Sequence, residues 1–474
     1  MGRKKKKEAL FFNEVEVTGV AAEGKAIARM NDKVLFIPFA APGDVVDVRI
    51  TKRKRNFMEG SIQHVHKWSD ERVTPFCEHF GTCGGCKWQH LSYERQLHHK
   101  QQQVTDHLAR IGKIDLDKVE VLPITAAEET TFYRNKLEFT FSNKKWLPRE
   151  VIDSGEPVSC MDALGFHVPV FFDKVLDINK CWLQPEPSNE IRLAVKEFAM
   201  SHGMTFFDLR TNEGMLRNLI VRNSSDGALM ILMVFGGKEQ GVIDRMMQFL
   251  SERFTRATTI AYMINEKANS SIADLYAVTF RGRPFIEEEM EGLRFQIGPK
   301  SFFQTNSKQA RKLYGVARDF AGLTGLELVY DLYTGTGTIA CFMARHAKKV
   351  IGIEYVQEAI DHAKVNAQQN DIENCDFVAG DMAAVLNDRF MDKHGYPHVI
   401  ITDPPRAGMH PKVVRQIAES GADKIVYVSC NSATQARDVE MLSDRYKLVR
   451  SQAVDMFPHT HHVENVVLLE RIWG

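Results

Sequence analysis

Several stretches of this chain carry residues that can do chemistry. Val428-Ser429-Cys430-Asn431 closes an apolar run with a thiol set among small polar side chains. Most single cysteines are inert core residues, but a thiol at the end of a strand is well positioned to act as a nucleophile. Phe457-Pro458-His459-Thr460-His461-His462-Val463-Glu464 gathers imidazoles and a carboxylate, any of which can take a proton as a general base. Their spacing matches no usual helical ligand pair, so zinc is not expected there.

Cys77-x5-Cys83-x2-Cys86 offers thiolates for a metal group, with Gly84 and Gly85 leaving the backbone free to wrap it and aim N–H groups at its sulfurs. Cys160 and Cys181 are both available as a further ligand, and four cysteines would serve a [4Fe-4S] cluster or a structural zinc ion alike. With only 8 cysteines in 474 residues a disulfide scaffold is excluded, and a reducing cytosol is the expected compartment.

Val329-Tyr330-Asp331-Leu332-Tyr333-Thr334-Gly335-Thr336-Gly337-Thr338 puts an acid and glycines at the end of a strand, where bare backbone can approach a nucleoside. Glu354 closes the next strand, where a carboxylate can accept from both ribose hydroxyls. A dinucleotide site would need a further glycine and a helix N-terminus facing pyrophosphate, yet Ile339-Ala340-Cys341 follows. S-adenosylmethionine carries no pyrophosphate and fits better. Asp381, in Gly380-Asp381-Met382, can read an adenine amino group or, taken alone, cap a helix. Ile401-Thr402-Asp403-Pro404-Pro405-Arg406-Ala407-Gly408 ends a fourth strand. Amino-group methyltransferases hold an exocyclic nitrogen with an Asp-Pro-Pro string ending in an aromatic; here Arg406 takes the aromatic's place.

These residues need strands and helices to bring them together. After about residue 291, strands at 328–330, 350–353, 398–401 and 424–428 alternate with helical segments, which predicts a doubly wound parallel sheet with its site at the strand C-termini. From about 130 to 290 strands dominate: Tyr133 to Phe141, Leu219 to Arg222 and Leu229 to Phe235, the last two joined through Asp226-Gly227 as a hairpin in an antiparallel region with helices interspersed. Alternation over Tyr133–Phe141 sends Arg134 and Lys136 to one face and Leu137, Phe139 and Phe141 to the other. Leu97, Val104, Leu108 and Ile111 recur at helical spacing, predicting a helix from Leu91 to Ile111 capped by Gly112. Short strands at 14–17, 33–38 and 45–50, broken by Gly19, Gly24, Pro42 and Gly43, close into a small barrel.

The 61 basic and 61 acidic side chains cancel, so affinity for a polyanion must come from local clusters, Arg3–Lys7 and Lys52–Arg55. The first residues lead straight into charge and no stretch is long and apolar enough to span a bilayer, so neither a secretory signal nor a membrane anchor is expected, and the expected location is cytoplasmic.

Taken together, Ser-Cys-Asn at 429–431, Asp-Pro-Pro-Arg-Ala-Gly at 403–408, Pro-His-Thr-His-His-Val-Glu at 458–464 and Phe-Phe-Gln-x-Asn at 302–306 resemble the RNA uracil-5 methyltransferase family nearly end to end, in particular its 23S ribosomal RNA type with a TRAM domain and an iron-sulfur cluster. Gly19 to Ile50 resembles the TRAM domain, a five-stranded barrel that binds RNA. The resemblance implies that Cys430 is the nucleophile, Glu464 the base and Asp403 the holder of the uracil edge. It implies that Gln304, Asp331, Tyr333, Gly335, Gly337, Glu354, Asp381 and Asp403 bind S-adenosylmethionine. It also selects Cys181 to join Cys77, Cys83 and Cys86 around a [4Fe-4S] cluster in preference to zinc. Thr334 stands where many relatives have cysteine, without consequence for a loop that works through its backbone.

The implied fold is α/β: a Rossmann-like methyltransferase domain at 291–474, preceded by a basic tail and OB-like TRAM barrel at 1–67 and an α+β central domain at 68–290 that carries the cluster and meets RNA, with the segment of about 91–120 positioned to pack on the catalytic domain. The implied substrate is a loop of 23S ribosomal RNA, where flipping a base out of its stack costs least. A transfer RNA uridine methyltransferase and a non-catalytic RNA-binding protein are the alternatives. Intact Gln304, Glu354, Asp403, Cys430 and Glu464 argue against the latter, and a monomer is the expected state.

Overall fold

The computed structural model describes residues 10–473, so the basic run Arg3–Lys7 lies outside the described residues. At the N-terminus, alternating apolar residues close a small barrel-like sheet. Val45–Arg53 pairs antiparallel with both Phe11–Glu16 and Phe57–Lys67, and Lys33–Ile37 runs parallel to Phe57–Lys67. Val46 and Val48 point inward with Val15, Ala28, Leu35, Ile37 and Met58. The sheet has six strands rather than five, because the short strand Gly19–Val20 adds to its edge beside Ala26–Met30. Lys52 and Arg53 of the basic cluster close the strand Val45–Arg53, with exposed side chains.

The central sheet has seven strands. It is antiparallel apart from Leu229–Phe235 and Thr259–Ile264, which run parallel because the helix Gln240–Arg253 crosses over between them. That helix and Ser188–Ser201 cover one face, burying Ile191, Val195, Ile243 and Met246 against Phe139, Leu219 and Ile231. Leu137, Phe139 and Phe141 face the core as their alternation predicts. The strand itself begins at Lys136: the N–H groups of Arg134 and Asn135 leave the ladder and donate to the carbonyls of Leu183 and Thr305.

The C-terminal sheet has eight strands. Cys375–Ala379, Lys349–Glu354, Leu328–Leu332, Val399–Thr402 and Lys424–Ser429 are parallel neighbours in that order, and Glu464–Arg471 inserts antiparallel beside the last. The order reverses between Leu328–Leu332 and Val399–Thr402, which opens a crevice at their C-terminal ends. Tyr446–Val454 follows, and beyond it the edge is Glu120–Thr125, contributed from far upstream. The preceding helix, Tyr93–Arg110, packs on Ser432–Leu442, so residues 93–125 are physically part of this body. That helix starts after the Ser92 cap and buries Gln96, Lys100, Val104 and Leu108. Leu97 is only half-buried and Ile111 is exposed. Gly112 does not adopt the left-handed cap, since Ile111 ends the helix in right-handed geometry. Among the described residues no helix is long and apolar enough to cross a membrane.

Candidate active site

Strand register brings the sequence-predicted residues to one rim. Leu332 lies opposite Thr402, so Asp403 emerges beside the glycine-bearing turn. Ser429 lies opposite Asn465 in the antiparallel pair, so Cys430 and Glu464 project side by side from adjacent strands. Glu464 is only 5% exposed, and burial, reinforced by the Asp403 carboxylate and opposed by Arg406, raises its pKa above the ordinary carboxylate range. Burial raises Asp403 as well. The Cys430 thiol is pushed up to about 11 by burial and then by Glu464 and Asp403, while the Arg406 guanidinium against it pulls the other way. A cationic ligand among these groups would favour their charged forms.

The Asp-Pro-Pro loop is fastened to the helix that follows Cys430. Asn431 caps that helix through Oδ1, accepting from the Ala433 N–H at 3.1 Å, while its Nδ2 donates to the Arg406 carbonyl at 3.0 Å. Thr434 Oγ1 donates to the same carbonyl at 3.3 Å. The Met409 N–H and the Tyr427 hydroxyl both donate to Asp438 Oδ2, each at 2.8 Å. These bonds fix the backbone of Arg406, singled out in the sequence only as a departure from a motif, beside the helix that follows Cys430.

In the glycine turn, Thr334 donates to Asp331 Oδ2 at 2.5 Å, Asp331 Oδ1 is buried without a partner, and burial pushes this carboxyl up to about 7. Tyr333, Gly335 and Gly337 all take left-handed backbone, with φ of 64°, 55° and 79°. The Gly335 N–H donates to Glu354 Oε2 at 3.2 Å and the Val356 N–H to Oε1 at 3.0 Å, tying the second strand's carboxylate to the turn. Asn366 donates to the Thr336 carbonyl at 3.0 Å and steadies the far side. Asp381 caps the short helix Met382–Val385, accepting from the Ala383 N–H at 2.8 Å, and stays exposed at the rim.

Gln304 is buried, its carbonyl held by Asn135 Nδ2 at 2.9 Å, the same amide that donates to Ser307 Oγ at 2.8 Å. Its side chain reaches the phenol of Tyr314, whose pKa is raised by burial and then by Asp403, Asp331 and Glu464. Tyr314 and Asn135 are therefore part of the site that the sequence did not reveal: one sits on an apolar helical face, the other 169 residues from its partner. His459, His461 and His462 are held neutral by burial, at about 4, 3 and 4.

Cys77, Cys83, Cys86 and Cys181 line one cavity of about 320 Å³ together with Arg134, Lys136, Lys180 and Trp182; Cys160 is not among the lining residues. Burial pushes Cys83 up to about 12 and Cys86 to about 11, and the Gly85 N–H points at Cys83 Sγ at 3.4 Å. Among the described residues, however, no three His, Cys, Asp or Glu side chains converge on a position that would hold one metal ion.

A glycine turn after the first strand, a carboxylate closing the second and a crevice at the switch point together define a Rossmann-like, S-adenosylmethionine-dependent methyltransferase. Residues 286–472 match the family described as tRNA (Uracil-5-)-methyltransferase, and residues 13–62 match the TRAM domain. Proteins of Bacteroides thetaiotaomicron and Porphyromonas gingivalis, each described as an uncharacterized RNA methyltransferase, are 56% and 54% identical, over 95% and 96% of this chain and 100% and 99% of their own. The solved tRNA (uracil-54, C5)-methyltransferase of Pyrococcus abyssi, in complex with S-adenosyl-L-homocysteine, superposes with a TM-score of 0.74 at 27% identity, covering 96% of this chain and all of that one. The chain belongs to the RNA uracil-5 methyltransferase family, in the form that carries an N-terminal TRAM domain.

Proposed function

We propose that this chain transfers the methyl group of S-adenosylmethionine to carbon 5 of a uridine in a loop of 23S ribosomal RNA through a covalent adduct on Cys430. The observation that carries the reading is the register that sets Cys430 beside Glu464 with Asp403 on the next strand. Carbon 5 of uracil is a poor nucleophile. The Cys430 thiolate adds to carbon 6, the ring electron pair moves to carbon 5 as an enolate, and carbon 5 takes the methyl group as S-adenosylhomocysteine leaves. Glu464 then removes the carbon 5 proton, and the returning electron pair expels the thiolate. Asp403 holds the uracil edge, and Arg406 favours the thiolate of Cys430.

Gln304, Asp331, Tyr333, Gly335, Gly337, Glu354, Asp381 and Asp403 hold S-adenosylmethionine, Glu354 at the ribose and Asp381 at the adenine. Cys77, Cys83, Cys86 and Cys181 hold a [4Fe-4S] cluster. A cavity lined by all four cysteines supports a group held by these thiols, and the resemblance favours a cluster over zinc. It would staple the central region, since methyl transfer to an enolate moves no net electrons. Residues 1–67, 68–290 and 291–474 act as RNA-binding barrel, cluster-bearing RNA-binding region and catalytic domain, with the helix and strand of 93–125 lent by the middle region to the catalytic sheet.

A second reading, a transfer RNA uridine as substrate, is favoured by the full-length likeness to the Pyrococcus abyssi enzyme. The combination of TRAM barrel and cysteine cluster supports the ribosomal target. Incubation with S-adenosylmethionine and transcripts of each RNA, followed by nucleoside mass spectrometry, tests both. 5-Methyluridine in 23S transcripts alone is expected. Its appearance in transfer RNA alone would move the substrate, and its absence from both, with cofactor binding intact, would overturn the reaction.

A further inference from the structure

The loop 455–463, which leads into Glu464, is held from outside its own strands. Lys100 is fully buried, pairs with Asp455 Oδ1 at 2.6 Å and donates to the Phe457 carbonyl at 3.0 Å. Asp455 also accepts from the Phe457 N–H at 3.0 Å and from the Tyr93 hydroxyl at 2.9 Å. One turn before Lys100, Gln96 is equally buried: its Oε1 accepts from the His459 N–H at 2.8 Å and its Nε2 lies 3.2 Å from His459 Nδ1. The same amide donates to the carbonyls of Trp88 and Leu91 at 3.0 and 2.9 Å. In return the His459 carbonyl accepts from the N–H groups of Lys87 and Trp88, at 2.9 and 3.1 Å, the residues immediately after Cys86.

We propose that the segment from Cys86 through the helix Tyr93–Arg110 is a clamp that fixes where Glu464 stands, with Gln96 and Lys100 as positioning residues; this rests on reading Glu464 as the base. A helix face that only packed would bury apolar side chains. This face buries an amide and an ammonium, both aimed at the loop. A buried ion pair gives little net stability compared with apolar residues of the same volume, but it fixes one geometry. Cys430 is secured by Asn431 and the helix behind it, which meets Tyr93–Arg110 through His107, 2.8 Å from Ser432 Oγ and two turns beyond Lys100, rather than through Gln96 or Lys100. Loosening the clamp therefore leaves thiolate addition and methyl transfer intact and slows only the last step, in which the carbon 5 proton passes to the Glu464 carboxylate and the carbon 6–sulfur bond breaks. The signature is a methylated protein–RNA adduct that accumulates on ordinary, unfluorinated RNA.

The test compares Gln96→Ala with Glu464→Gln and the wild type, using substrate RNA and methyl-labelled S-adenosylmethionine, quenched in detergent. Glu464→Gln should trap labelled adduct, and Gln96→Ala should raise adduct about tenfold over wild type, the effect of losing about one hydrogen bond's worth of positioning. Label should enter the adduct within about twofold of the wild-type rate. If Glu464→Gln traps adduct and Gln96→Ala turns over like the wild type, the clamp is refuted while the base survives. If Glu464→Gln itself traps nothing, the base reading falls and takes the clamp with it. Should Gln96→Ala lose cofactor affinity through misfolding, Lys100→Met/Asp455→Asn, which removes both buried charges together, is judged by the same criteria.

Discussion

The glycine turn makes a prediction that separates packing from ligand contact. At Gly337 the backbone has φ of 79°, and a Cβ would lie 2.9 Å from Ala363 Cβ and 3.0 and 3.1 Å from the Phe377 ring. Left-handed backbone costs an L-residue about 1–2 kcal/mol, and pressing a methyl into packed neighbours costs about 1–3 kcal/mol more. Gly337→Ala should therefore lose roughly 2–5 kcal/mol of stability, a fall of roughly 4–20 °C in Tm for a domain of this size. Gly335 has φ of 55° and open space within 4 Å, so Gly335→Ala should lose only about 1–2 kcal/mol. On the proposed placement of the cofactor against this turn its methyl takes up space the cofactor would use, and S-adenosylmethionine affinity should fall at least about tenfold, about 1.4 kcal/mol. Thermal unfolding and titration calorimetry on both variants decide the matter. Wild-type stability in Gly337→Ala would refute the packing argument, and wild-type affinity in Gly335→Ala would refute the placement of the cofactor on this turn.

Both Glu464 and Cys430 have raised pKa values, so the charged forms that the proposed mechanism requires grow in as pH rises. Single-turnover rates should climb from pH 6 through the mildly alkaline range, and a profile flat above pH 6 would contradict this. Glu464 binds its proton more tightly folded than unfolded, so its contribution to stability is present below the ordinary carboxylate range and is lost as pH rises through the elevated value. Glu464→Gln should accordingly raise Tm at pH 8 more than at pH 4; equal shifts would refute the burial argument. Arg406→Gln removes the guanidinium that favours the Cys430 thiolate, and should slow alkylation of Cys430 by iodoacetamide at pH 8 by several-fold. After anaerobic reconstitution, Cys181→Ser should lose bound iron while Cys160→Ser retains it, measured by iron analysis and visible absorbance.

The parallel strands and their terminal residues were legible because short apolar runs end in chemically distinctive residues: Asp331, Glu354, Asp403 and Cys430 all follow such runs, and strand order alone brings them together. Glu464 stands out in the sequence as one of several candidate bases in its segment, but its adjacency to Cys430 depends on an antiparallel strand inserted next to Lys424–Ser429, which apolar patterning does not reveal. The helix at 93–110 was found but its buried face was misread, because Leu97 and Ile111 look like core while Gln96 and Lys100 are buried for their polar contacts. Sequence patterns register water avoidance, not a hydrogen bond to a loop some 360 residues away. Tyr314 and Asn135 escaped for the same reason.

Covalent capture tests the central claim most directly. Purified protein would be incubated with S-adenosylmethionine and 5-fluorouridine-substituted transcripts of ribosomal and transfer RNA, alongside Cys430→Ala. Fluorine cannot leave as a proton does, so a detergent-resistant protein–RNA adduct should accumulate on 23S transcripts with the wild type and vanish with Cys430→Ala. An adduct that persists in Cys430→Ala, or none on either RNA from protein that binds S-adenosylmethionine, would contradict nucleophilic attack by Cys430.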